Sequence, residues 1–109
     1  MEVRVIRVEG EAGSESTATR NPLVRQLERL HPPDGSFELD LSRFEVEEGW
    51  ACTLCVNAVR EVLVRGGTLT LHEAPSSLVD SLDRAGLLIA PGGVLLVRPR
   101  GNSTALPGV

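Results

Sequence analysis

Strands alternating with amphipathic helices predict an α/β domain built on a mostly parallel sheet. Three observations carry that prediction. Four short runs are β-branched or alternate apolar with polar, three helical stripes lie between them, and Gly or Pro stands at nearly every junction. The order is β-α-β-α-β-α-β, a sandwich of four to five strands with helices packed against them. At 109 residues and 41% apolar content the chain supports one core. Residues 1–100 are expected to form that single domain, and 101–109 a flexible tail.

Val3 to Glu9, rich in β-branched residues, reads as the first strand, ended by Gly10-Glu11-Ala12-Gly13-Ser14. Asn21-Pro22 is an N-cap followed by the proline favoured at the first helical position. Leu23, Val24, Leu27 and Leu30 then form an apolar stripe of about three turns, stopped by His31-Pro32-Pro33-Asp34-Gly35. Phe37, Leu39 and Leu41 alternate with Ser36, Glu38 and Asp40 as the second strand, and residues 43–49 read as an irregular acidic loop. Positions 52, 55, 56, 59, 62 and 63 are the inward stripe of a second helix, closed by Gly66-Gly67. Thr68 to His72 is the third strand. Ala74-Pro75-Ser76-Ser77 opens a third helix with Leu78, Val79, Leu82 and Ala85 inward, closed by Gly86. After Leu87-Leu88-Ile89 and a Pro91-Gly92-Gly93 turn, Val94 to Val97 form the last strand.

Charge removes several function classes. Fifteen acids face eleven bases, every base is arginine, and the net charge is −4. Without a basic stripe the domain is a poor match to nucleic acid or an anionic membrane. Phe37, Phe44 and Trp50 are the only aromatics, so bases and sugars find no stacking platform. No apolar run reaches membrane length, which argues against insertion. The early acid Glu2 argues against a secretory leader, and the expected location is the cytoplasm.

No catalytic constellation, phosphate-cradling glycine loop or cofactor signature is present, so no enzyme is expected. A metal site would need His31 and His72, or carboxylates, to join the single C-x-x-C of Cys52 and Cys55. The histidines lie at a helix end and a strand end, and no metal is expected. Both cysteines fall on the apolar stripe, where they pack as small hydrophobes. The alternative is a thiol-disulfide protein, because Trp50-Ala51-Cys52-Thr53-Leu54-Cys55 is similar to the W-C-x-x-C of thioredoxin-like chains, with Ala51 breaking the register.

The ordered segments carry a further signal. Leu39-Asp40-Leu41-Ser42 is followed by a helix ending Arg65-Gly66-Gly67, then by Leu69-Thr70-Leu71. Ala74-Pro75 and the run from Leu78 to Leu87 complete the pattern, and Val8-Glu9-Gly10-Glu11 resembles the turn before a first helix. Together these resemble the STAS domain, the module shared by sulfate transporters and bacterial anti-sigma-factor antagonists. The resemblance implies a non-enzymatic protein-binding module. Its partner would be a serine-kinase-type anti-sigma factor, or a subunit of a transporter (including lipid transport) or signalling assembly. Phosphoregulated members carry a hydroxyl acceptor in a D-S-S/T-G segment, which falls here on Glu48-Gly49-Trp50-Ala51. Gly49 and Trp50 offer no acceptor, so control by phosphorylation at this loop is not expected.

A loop at a strand's carboxyl end, held by a sheet, is a natural recognition site. The expected partner surface is therefore Glu47, Glu48, Gly49, Trp50 and Thr53, with Pro75 and Ser76 from the next loop of the same edge. Trp50 reads either as an interface anchor or as a lid over the core. An open sheet edge would offer a second copy of the chain a place to pair.

Overall fold

The computed structural model describes residues 4–13, 17–32, 34–87 and 93–100. Strand β1 (Arg4–Ala12) leads through a short 3₁₀ turn (Ala18–Arg20) into helix α1 (Pro22–Glu28). Then come β2 (Ser36–Val46), α2 (Trp50–Val64), β3 (Thr68–Ala74), α3 (Ser76–Arg84) and β4 (Val94–Pro99). The four strands form one sheet in the order β1-β2-β3-β4, and every neighbouring pair is parallel. The expected α/β fold is therefore present, with four strands among the described residues. The expected tail at 101–109 lies outside them.

Strand order fixes the layers. Each right-handed crossover to the adjacent strand puts its helix on the same side, so α1, α2 and α3 share one face. Burial follows. Phe37, Leu39, Leu41, Leu69, Leu71 and Leu95 point into the helical layer and are buried, while the residues between them face away. Phe44 is the largest fully buried side chain.

Local signals explain the element ends. Asn21 Oδ1 accepts from the N–H groups of Leu23 and Val24, capping α1 as its sequence predicts. At the end of α2, Gly66 N donates to Leu63 O and Gly67 N to Val62 O, the paired bonds of a Schellman cap. Gly66 takes φ of +87°, a conformation open to glycine.

Two expectations need correction. Helix α1 has seven residues, shorter than its apolar stripe, because Pro32 ends it early and leaves Leu30 packed on the core from outside the helix. Residues 43–46 are strand, not loop. Ser42 and Arg43 both face outward, and Phe44 and Val46 then resume the inward alternation. The β1–β2 register runs from Arg7↔Asp40 to Glu9↔Arg43, which places the extra residue of a bulge on β2.

Candidate functional site

The carboxyl edge of the sheet gathers the ends of β2, β3 and β4. Arg100 locks them. Its guanidinium donates to the Leu41 and Phe44 carbonyls, to Glu73 O at 3.2 Å, and pairs with the Glu45 carboxylate. The same side chain thus spans the bulged end of β2 and the end of β3, where Glu73 sits at φ of +56°. Arg100 thereby organises the rim on which the loop stands.

From that rim the chain rises through Glu47, Glu48 and Gly49 into α2, and all three residues are exposed. Gly49, the N-cap, has φ of 96° and ψ of −132° and provides no side-chain cap. Side chains rarely tolerate this conformation, so the position where the resemblance expects a hydroxyl acceptor favours glycine for a backbone reason. Thr53 Oγ1 donates to Gly49 O at 3.1 Å and so tightens the first turn.

Trp50 is 57% exposed. Its position on α2 explains this. Ala51, Cys52, Cys55, Val56, Val59, Val62 and Leu63 form the buried stripe, and Trp50 is in phase with exposed Thr53, Asn57, Arg60 and Val64. The rigidity beneath it comes from Asn21, the one buried polar residue among those described. Its Nδ2 donates to Ala51 O at 3.4 Å, so a single amide caps α1 and anchors the first turn of α2.

The neighbouring loop joins the same surface. Ser77 Oγ donates to Val46 O at 2.8 Å and ties the start of α3 to the end of β2. Ser76 is exposed, whereas Pro75 is buried and holds the loop from beneath without facing a partner. Of the residues expected at the surface, Glu47, Glu48, Gly49, Trp50, Thr53 and Ser76 are exposed, and Pro75 is buried.

The cysteines are elsewhere. Cys52 and Cys55 are free thiols, 1% and 0% exposed. Burial pushes the Cys55 thiol up to about 12, against the opposing pull of its contact with Asn21. A redox nucleophile requires the reverse, an accessible thiol with a lowered value. Both cysteines should therefore resist iodoacetamide in the folded protein and react only in denaturant. Intact mass reads the outcome, and one rapid native adduct would restore the redox reading.

Sequence reasoning missed the uncovered face of the sheet. The register aligns Arg7, Asp40, His72 and Arg98 in one row, and Val5, Glu38, Thr70 and Leu96 in the next. His72 Nε2 meets Glu38 Oε1 at 2.6 Å. Asp40 accepts from Ser42 N, which chiefly holds its carboxyl below the ordinary range, helped by the Ser42 hydroxyl, Arg7 and His72 against partial desolvation. His31 is exposed and is no part of this row, and no cluster suited to a metal ion occurs among the described residues. No described helix is long and apolar enough to cross a membrane. No family model, curated protein or solved structure matches the chain.

Proposed function

We propose that this chain is a non-enzymatic protein-interaction module that docks its partner on Trp50 and the acidic loop before it. The observation that carries the reading is the exposed Trp50, fixed on a helix start that Asn21 and the Arg100-bound rim hold in place. A large, rigid aromatic on a preorganised frame costs little entropy to bury, and the flanking Glu47 and Glu48 provide a polar rim. The resemblance to anti-sigma-factor antagonists makes the partner a cytoplasmic kinase-type anti-sigma factor. A transporter or signalling subunit is the second candidate of the same class. With Gly49 and Trp50 at the acceptor positions, control would act through partner levels and not through phosphate on this loop.

A photo-crosslinking residue placed at position 50 tests the proposal in the native cell, with position 84 at the far end of α3 as the comparison. One discrete adduct formed from position 50 and absent from position 84 supports it, and mass spectrometry then names the partner. Adducts from position 84 alone would overturn it.

A further inference from the structure

The segment from Arg20 to Arg29, around helix α1, sorts its charges by side. Arg20, Arg25 and Arg29 line a pocket of about 240 Å³ beside β1, together with Gln26, Pro22, Val8 and Glu9. The one acid of α1, Glu28, lines a different groove with Glu61 and Arg65, toward α2. None of the three arginines forms an ion pair among the described residues, while Glu9 is 3.7 Å from Arg7.

Arg25 lies in the last turn of α1 and Arg29 is its C-cap, so the helix's negative end suits both cations. The dipole does not account for Arg20, which precedes the helix, nor for three arginines turned to one pocket without an ion-pair partner among the described residues, in a chain of net charge −4. An unneutralised cluster of this kind points to an anionic ligand. Three guanidiniums against one carboxylate leave the pocket two positive charges, matching a phosphate monoester dianion. The planar fork of arginine suits phosphate oxygens, and the Glu9 carboxylate can accept a hydrogen bond from a hydroxyl of the group that carries the phosphate. A polynucleotide fits less well, because the basic residues form a pocket and not a stripe, on a protein negative elsewhere.

We infer that this pocket binds a phosphate monoester, with Arg20, Arg25 and Arg29 gripping the phosphate. The site is independent of the Trp50 surface and stands or falls without it.

Titration with inorganic phosphate at fixed ionic strength, followed by amide NMR shifts, tests the inference. Saturable shifts centred on Val8–Glu9 and Arg20–Arg29 are expected, with a Kd of roughly 1–10 mM. Arg25→Gln and Arg29→Gln should each weaken binding at least fivefold. Arg84→Gln should not change it, and Glu9→Gln should tighten it. Both pocket variants should melt within about 2 °C of wild type, since Arg25 and Arg29 are exposed and form no ion pair among the described residues, which separates lost binding from lost fold. Ribose 5-phosphate should bind at least as tightly as phosphate, and its failure to bind where phosphate does would overturn the ester. Shifts that never saturate, or that persist in the Arg25→Gln/Arg29→Gln double variant, would overturn the site.

Discussion

Gly93→Ala is expected to cost more stability than any other single-methyl addition among the described glycines. An added Cβ would lie 1.9 Å from Gly67 O and 3.1 Å from Leu63 O. Both are backbone atoms, so no side chain can swing away to make room. The crossing is also where β4 is tied down, since Gly93 N donates to Leu63 O at 2.8 Å and Val94 N to Gly67 O at 3.2 Å. Gly67 in turn belongs to the Schellman cap of α2, so relieving the overlap disturbs the end of one helix and the start of one strand together. Overpacking usually costs 1–3 kcal/mol, and a backbone clash of this depth belongs at about 3 kcal/mol or above. For a domain of this size that lowers the melting temperature by roughly 12 °C or more. Gly13→Ala, with nothing within 4 Å of its added Cβ, should stay within about 0.5 kcal/mol of wild type. Calorimetry of the two variants decides the matter, and equal melting temperatures would show that β4 meets α2 differently.

Much of this architecture was legible because local signals agree with one another. Asn21-Pro22, Gly66-Gly67 and the stripe from Cys52 to Leu63 each do in the fold what their chemistry predicts. The extension of β2 through Val46 was hidden because Ser42 and Arg43 interrupt the alternation, and the carbonyls exposed by the irregularity are satisfied by Arg100, far along the chain. No local pattern announces such a contact. The one-sided sheet, in contrast, had a signal that went unused. Strands buried on both faces read as continuous apolar runs, whereas Phe37-Glu38-Leu39-Asp40-Leu41 and Thr68-Leu69-Thr70-Leu71-His72 alternate strictly. That pattern places one face of a parallel sheet in solvent, with Val5, Val94 and Leu96 at its margins. The outward position of Trp50 was also encoded, since position 50 is in phase with Thr53, Asn57 and Arg60 and out of phase with Cys52 and Cys55.

Trp50→Ala should give the opposite signature to Gly93→Ala, with binding lost and the fold kept. More than half of the indole surface is already in water, at 57% exposure, so truncation removes little packing. The first turn of α2 keeps its supports without the ring, because Thr53 N and Thr53 Oγ1 both bond Gly49 O and Asn21 still holds Ala51 O. Its melting temperature should therefore stay within about 2 °C of wild type. Binding is a different matter. An aromatic anchor at the centre of an interface contributes about 2 kcal/mol or more, because the partner's pocket is left empty and the rim no longer excludes water. Affinity for the partner captured at position 50 should drop at least about tenfold, measured by titration calorimetry. Trp50→Phe should recover part of the loss, since a second aromatic fills much of the same pocket. Arg84→Ala, at the far end of α3, should bind as wild type. If Trp50→Ala unfolds the protein while affinity per folded molecule is unchanged, Trp50 is a lid over the core, and the docking surface must be sought elsewhere, beginning with the open row of Val5, Glu38, Thr70 and Leu96.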